Sequence, residues 1–168
     1  MLFSSITIDY IKAKLLLNWL SDPTYSIYKS LLKYDYKILP TTHKNMNALR
    51  ISKRKIFGTE MIGGIDLVKY DRDSKLLVDF YFFNSKYHCE SSGKKNYMDE
   101  SESNEIRSQL FGIAESYAKS NKLDKIQLYV HKNLKNYKED GVEELGYKII
   151  GTPHELNSNW ILTEKKLF

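Results

Sequence analysis

The sequence has 168 residues, of which 42% are hydrophobic, so it can form one folded domain with a real core and is not a disordered chain. A formal net charge of +5 predicts weak attraction to anionic partners, such as a phosphorylated cofactor or nucleic acid. No apolar run reaches the roughly 18 residues of a membrane span. The stretch from Met1 to Tyr10 also lacks the basic start and long apolar core of a signal peptide.

The first fifth of the chain predicts one strand and two helices. Ser5 to Tyr10 alternates as a short strand does, and apolar residues then recur at helical spacing from Ile11 to Leu20. Pro23 ends that helix, because the residue before a proline avoids the α region. Proline also suits the first turn of a helix, so a second helix is predicted from Pro23 to Lys33.

The middle of the chain predicts an antiparallel meander of three strands. No period is visible from Tyr34 to Met46, which is predicted to be a loop. The paired glycines Gly63 and Gly64 predict a bulge or a close approach of two backbones. A basic turn and a polar turn separate the three strands, which are predicted at Asn47–Ile51, Ile56–Val68 and Leu76–Phe83, with the turns at Ser52–Lys55 and Asp71–Ser74.

The stretch from Asn104 to Gly151 predicts helix, strand, helix and strand, after a polar loop from Asn84 to Ser103. One apolar face recurs at steps of three and four, carried by Ile106, Leu110, Ile113, Ala114 and Tyr117. A strand at Ile126–Val130, a helix end at Gly146, a strand at Tyr147–Ile150 and a last strand at Asn159–Thr163 complete the chain. Together with Leu76–Phe83, this order predicts a βαβ crossover with two parallel strands beneath the helix.

This order of elements resembles the GNAT superfamily of N-acetyltransferases, and two local phrases support the resemblance. Leu16 to Pro23 is similar to the first-helix phrase of ribosomal-protein-type members. Leu128-Tyr129-Val130, followed later by Glu144 to Tyr147, is similar to the fifth strand and to the motif that closes the fourth helix. The resemblance implies an α/β fold in which residues 1–168 form a single GNAT-like domain, with a mixed central sheet flanked by helices. It also implies that Leu76–Phe83 and Ile126–Val130 splay apart.

The resemblance implies acetyl-CoA as the cofactor, although the glycine motif that binds its pyrophosphate is altered. GNATs carry Gln/Arg-x-x-Gly-x-Gly/Ala before the third helix, and its N–H groups hold the pyrophosphate. The matching positions are Glu102, Glu105 and Arg107. A carboxylate at Glu102 would repel a pyrophosphate, whereas Arg107 would attract one. The expected cofactor contacts are Phe82 and Phe83 at the end of the fourth strand, and the N–H groups of Asn104, Glu105, Ile106, Arg107 and Ser108.

Catalytic roles are carried over from the same resemblance. Many GNATs place an acidic residue near Asp79, where it takes a proton from the substrate amine. Glu60 and Asp66 on the preceding strand are alternative bases. The tyrosine that protonates the thiolate of CoA in many members is replaced by Val142, so Tyr137 is the candidate acid.

Other chemistry finds little support in the sequence. The histidines and Cys89 lack the spacing of metal ligands, so no metal site is predicted. A single cysteine favours an intracellular, cytoplasmic protein without disulfides. The basic runs Lys53–Lys55 and Lys94–Lys95 are typical of solvated turns, and no nucleic-acid-binding module surrounds the aromatic run Phe80–Phe83.

Three functional hypotheses follow. The first is acyl-CoA-dependent N-acyltransfer, most simply of an acetyl group from acetyl-CoA to a primary amine. The second is a GNAT-like binding or regulatory module without catalysis, which Glu105, Arg107 and Val142 favour. The third, suggested by charge alone, is a nucleic-acid-associated protein. The acceptor and the oligomeric state are left open.

Overall fold

The structure is a computed structural model that describes residues 33–39, 41, 43–54, 56–83, 100–131, 142–151 and 160–168. The elements predicted between Ser5 and Leu32 lie outside these residues, as does most of the polar loop that begins at Asn84. Within the described residues the chain forms seven strands and one α-helix, in the order β1 (Asp35–Leu39), β2 (Met46–Arg54), β3 (Thr59–Tyr70), β4 (Lys75–Phe83), α1 (Glu100–Ser120), β5 (Lys125–His131), β6 (Lys148–Gly151) and β7 (Trp160–Lys166).

The seven strands form one mixed sheet in the order β1-β2-β3-β4-β5-β7-β6. The pair β4 and β5 is parallel, and the other neighbouring pairs are antiparallel. Helix α1 connects the two parallel strands, since it follows β4 and precedes β5 in the chain. The predicted meander, the βαβ crossover and the α/β fold class are therefore confirmed.

Helix α1 buries the apolar stripe that its sequence predicts. Five side chains of this stripe pack against the sheet and are 6% exposed or less, namely Ile106, Leu110, Ile113, Ala114 and Tyr117. Leu67, Leu76, Val78 and Leu128 belong to the same core cluster. At its carboxyl end the helix is closed by two hydrogen bonds, from Leu123 N–H to the carbonyl of Ala118 and from Lys122 N–H to that of Lys119. Lys122 takes the left-handed conformation, so Asn121 lies at the C-cap position.

Two predictions of irregular structure are wrong. The segment predicted as a loop contains β1, in which buried Tyr36 is followed by exposed Lys37, and β1 pairs along its whole length with β2. Five residues are too few to show a clear period, and a strand partner stabilises them. The predicted basic turn begins too early, because β2 continues to Arg54.

The sheet contains three β-bulges, one in β6 at Ile150 and two in the meander. Ile51 pairs with Gly63 and Ser52 with Met61, so Ile62 is the extra residue of β3. This bulge lies beside Gly63, as the paired glycines predict. In the second bulge Asp66 pairs with Phe80 and Leu67 with Val78, which leaves Asp79 as the extra residue of β4. A bulge bends its strand and re-aims the side chains that follow it.

No helix among the described residues is long and apolar enough to cross a membrane.

Candidate active site

A cleft opens between β4 and β5 at their carboxyl ends. The pairing of the two strands stops at Val78 and Leu128, although β4 continues to Phe83 and β5 to His131. Over the same length β4 remains paired with β3, because Gly63 faces Phe83. The predicted divergence is therefore present. We call the space between residues 79–83 of β4 and 129–131 of β5 the β4–β5 cleft.

The amino end of α1 lies at the same end of the sheet as the β4–β5 cleft. The N–H of Asp124, just after the helix, donates to the carbonyl of Ser74, just before β4, at 2.8 Å. The carboxyl end of α1 thus lies where β4 begins, and its amino end lies where β4 ends. Carboxyl ends of parallel strands and amino ends of helices are where α/β proteins bind anionic ligands.

Aromatic side chains close the inner end of the cleft. The ring of Phe111 on α1 packs edge-on against Tyr81 of β4, with 5.3 Å between centroids, and against Tyr147, with 5.6 Å. Tyr147 is fully buried, and this burial raises the pKa of its hydroxyl well above the usual value. Its hydroxyl therefore stays protonated at neutral pH, inside the core rather than in the open part of the cleft.

Asp79 is the predicted carboxylate that lies at the β4–β5 cleft. It is the bulged residue at the point where the two strands separate, and its side chain is exposed. The rival Asp66 is held by Arg50, whose Nη1 donates to its Oδ1 at 2.5 Å. The rival Glu60 lies farther out on β3, beyond the last pair that β3 makes with β4. Of the three carboxylates, Asp79 has the position that the catalytic hypothesis requires.

The helix begins earlier than predicted, and this changes the expected phosphate contacts. Helix α1 starts at Glu100, so Asn104 to Ser108 lie in its second and third turns. Their N–H groups are committed to intrahelical hydrogen bonds, because an α-helix leaves only its first turn without partners. The five N–H groups that were expected to contact a pyrophosphate therefore lie inside the helix rather than in its first turn. The acidic residues Glu100 and Glu102 explain the early start, since negative charge stabilises a helix amino end.

Glu102 and Glu105 do not direct free carboxylates at the β4–β5 cleft. Lys53 Nζ lies 2.8 Å from Glu102 Oε1, and Lys33 Nζ lies 2.6 Å from Glu105 Oε2. The hydroxyl of Tyr34 donates to both carboxylates, at 3.4 Å and 3.2 Å. These bonds join α1 to β2 and to the residues just before β1. The hydrogen bond to Glu105 raises the pKa of Lys33, and burial raises the pKa of the Tyr34 hydroxyl.

Arg107 is the basic residue of the altered motif, and the sequence predicts that it attracts a phosphate. It precedes Phe111 by four residues and so shares the face of α1 that packs at the cleft. Its Nε is buried and has no hydrogen-bond partner among the residues that the structure describes. An unsatisfied buried donor is unfavourable, and an anionic acceptor would satisfy it. Among the other four residues, Ile106 is in the core, Asn104 and Ser108 are exposed, and Glu105 is bound to Lys33.

Three further predicted residues have different outcomes. Phe82 and Phe83 end β4, where their backbones pair with Gly64 and Gly63. Tyr137 lies outside the described residues. Val142, at the position of the usual tyrosine acid, is completely buried and belongs to the core. The part of the chain that the structure describes contains no group of three or more histidine, cysteine or carboxylate side chains that could hold a metal ion.

Sequence reasoning did not identify Tyr81 as part of the site. The aromatic run Phe80–Phe83 was a visible signal, but alternation alone would place Phe80, two residues after Val78, on the face beneath α1. The bulge at Asp79 shifts the phase by one residue, so Tyr81 contacts Phe111 instead. A one-residue shift of this kind cannot be read from the local pattern.

Comparisons with known proteins support the fold. No protein-family model matches the sequence, and no curated protein is detectably similar to it. Solved structures with the same arrangement include nourseothricin acetyltransferase, with 10% identity, a TM-score of 0.51, and coverage of 80% of this chain and 85% of that one. Aminoglycoside 6'-acetyltransferase type Ii is 18% identical, with a TM-score of 0.51 and coverage of 75% and 72%.

A third structure, the aminoglycoside 6'-N-acetyltransferase from Enterococcus faecium, is 14% identical, with a TM-score of 0.50 and coverage of 76% and 77%. At these identities the likeness concerns the fold rather than the substrate. The seven-stranded mixed sheet, the crossover helix and the parallel pair that separates at its carboxyl end are shared features of that fold. The chain therefore has the fold of the GNAT N-acetyltransferases.

Proposed function

We propose that this protein is an acyl-CoA-dependent N-acyltransferase that transfers an acyl group, most simply acetyl, to a primary amine. The observation that supports this best is the β4–β5 cleft, which opens at a bulged carboxylate, Asp79, and lies at the amino end of α1. The whole chain of 168 residues is proposed to act as one domain.

The cleft suits the extended arm of acyl-CoA. This arm carries amide groups, and an extended segment with amides can bind along a strand edge by main-chain hydrogen bonds. Beyond Val78 the ladder between β4 and β5 has ended, so β4 presents such an edge to the cleft. The thioester carbonyl would be polarised by a backbone N–H of β4, at a place where the developing negative charge is stabilised.

The phosphates would lie where α1 begins. Arg107 supplies a guanidinium whose buried Nε lacks a partner among the described residues. The N–H groups of the first turn, from Glu100 to Glu102, also have no intrahelical acceptor. The positive end of the helix dipole favours an anion there, and Lys53 offsets the charge of Glu102.

The transfer step needs a base and an acid. Asp79 takes a proton from the ammonium of the acceptor, directly or through water, and the free amine attacks the thioester carbon. The carbon–nitrogen bond would form and the carbon–sulfur bond would break, the attacking nitrogen would lose its second proton to solvent, and the CoA thiolate would accept a proton. Tyr137 is retained as the proposed donor of that proton, because Val142 carries no acidic hydrogen and lies in the core.

A thiol-release assay with acetyl-CoA and a panel of amines tests this proposal. Arg107→Gln should raise the KM for acetyl-CoA by about tenfold or more, as expected for losing a charge-assisted hydrogen bond of roughly 1.5–3 kcal/mol. Asp79→Asn should lower kcat by about 10²–10⁴-fold and leave cofactor binding unchanged. The matched controls are Arg72→Gln and Asp73→Asn in the exposed turn before β4.

Binding and thiol release together distinguish the proposed transferase from a binding or regulatory module. If acetyl-CoA binds with the expected dependence on Arg107 but no amine releases CoA, the protein is a binding or regulatory module with the GNAT fold. If millimolar acetyl-CoA gives neither binding heat nor thiol release, the proposal is wrong in both parts.

A further inference from the structure

We infer that the tip of the β2–β3 hairpin is a docking site for an anionic phospholipid surface. The inference goes beyond the proposed acyl transfer and is independent of it. The site consists of Ile56 and Phe57, which we call the hairpin tip, together with the basic residues that precede them.

The hairpin tip is the most exposed apolar surface in the part of the chain that the structure describes. Ile56 and Phe57 are each 94% exposed, more than Phe168 at the carboxyl terminus, which is 82% exposed. The two residues are adjacent in sequence and are followed by Gly58, whose φ of 84° turns the chain towards β3. Two large apolar side chains side by side in water usually mark an interaction site rather than a packing role.

The tip projects from the sheet on a two-stranded ribbon. β1 pairs with β2 only up to Ser52, and β4 pairs with β3 only from Gly63. Between these pairs the ribbon has no neighbouring strand among the described residues, and Thr59 lies about 13 Å beyond Gly63 at the usual strand rise. The apolar pair therefore forms a narrow convex point. A convex point can insert into a lipid surface without a preformed pocket. A protein partner would need a pocket of matching shape.

The charge beside the tip identifies the kind of interface. Lys53, Arg54 and Lys55 directly precede Ile56, whereas the nearest acidic residue of the returning strand is Glu60, opposite Lys53. Lys53 remains 46% exposed although it bonds Glu102. An anionic bilayer binds apolar side chains that have basic side chains behind them. The apolar side chains enter the boundary of the acyl chains, while the cations meet the head groups. A neutral bilayer would lack the second contribution.

Vesicle sedimentation tests the inference with the full chain. Wild-type protein should sediment with vesicles of 70% phosphatidylcholine and 30% phosphatidylglycerol, and at least tenfold less with pure phosphatidylcholine. The double variant Ile56→Ser/Phe57→Ser should lose at least tenfold of the binding to the anionic vesicles, with an unchanged melting temperature. Phe168→Ser removes another highly exposed aromatic ring, far from the hairpin in sequence, and should bind as the wild type does.

A reporter at the tip gives an independent measurement. Trp introduced by Phe57→Trp should be quenched by brominated acyl chains in anionic vesicles, beyond any quenching of the wild-type protein. Absence of sedimentation with anionic vesicles would overturn the inference, as would equal loss in the Phe168→Ser variant. Self-association or binding of a protein that requires Ile56 and Phe57, without vesicle binding, would also overturn it.

Discussion

The ammonium of Lys53 on β2 lies 2.8 Å from the carboxylate of Glu102 in the first turn of α1. From the sequence, Glu102 was expected to repel a pyrophosphate. In the structure its side chain is 14% exposed and is bound by Lys53 and by the hydroxyl of Tyr34. The carboxylate thus attaches the first turn of the helix to the sheet, and its charge is offset at the place where the proposed phosphate site begins.

Removal of the Lys53 ammonium should therefore destabilise the protein more than removal of the Lys33 ammonium. Lys53→Met removes the cation beside the poorly exposed Glu102 carboxylate and should lower the free energy of unfolding by about 1 kcal/mol. Lys33→Met breaks a pair whose side chains are 50% and 36% exposed, so we expect about 0.5 kcal/mol or less. Urea titration of both variants measures the difference. A larger loss for Lys33→Met would contradict this account of α1.

Two glycines should respond to alanine with opposite signs. Gly146 has a φ of 88° and ends a turn, in which Tyr147 N–H donates to the Val142 carbonyl and Gly146 N–H to that of Glu143. Gly146→Ala should cost about 1–2 kcal/mol, because a side chain disfavours this conformation. Gly112 lies within α1, and an added Cβ would meet no atom within 4 Å, so Gly112→Ala should stabilise by about 0.5–1 kcal/mol. Thermal melts of the two variants that move in the same direction would refute the interpretation.

Local pattern was sufficient to predict the elements whose signal is long and regular. The stripe from Ile106 to Tyr117 predicted α1 and its buried face, and the alternation at Ile126–Val130 predicted β5 and its place beside β4. Where the sequence predicts a helix end at Leu145-Gly146, residues 142–146 form a turn that ends at a left-handed glycine, and the predicted helix before it lies outside the described residues. These features depend on hydrophobic periodicity or on the ability of glycine to take the left-handed conformation, and both can be recognised in the sequence.

Features that depend on distant partners were not predictable in the same way. β1 is short and becomes a strand because β2 pairs with it. The start of α1 depends on how Lys53 and Tyr34 bind Glu102, and these residues lie far from it in sequence. The contact between Tyr81 and Phe111 depends on the bulge at Asp79. Local sequence pattern therefore indicates a candidate position for the site, but not the helix start or the bulge that shape it.

Stability should fall in alkaline solution because Tyr147 is held protonated. Burial raises the pKa of its hydroxyl in the folded state, so above about pH 10, where an exposed tyrosine ionises, the unfolded state loses a proton that the folded state keeps. The free energy of unfolding should then decrease by up to about 1.4 kcal/mol per pH unit for this group. Tyr147→Phe should flatten that decrease between about pH 10 and pH 11.5, whereas Tyr70→Phe, at a side chain 41% exposed, is the control. An unchanged slope in Tyr147→Phe would show that this hydroxyl is not responsible.

Hydrogen–deuterium exchange with and without acetyl-CoA tests the central claim, cofactor binding in the β4–β5 cleft, most directly. Millimolar acetyl-CoA should slow amide exchange in peptides that cover residues 79–83 of β4 and the first turn of α1, because the cofactor arm and phosphates would bond those N–H groups. Amide exchange in peptides that cover β1, an edge strand of the sheet, should not change. Arg107→Gln should reduce the protection that acetyl-CoA gives. The account would be contradicted by unchanged exchange throughout the chain, or by protection confined to segments away from the cleft.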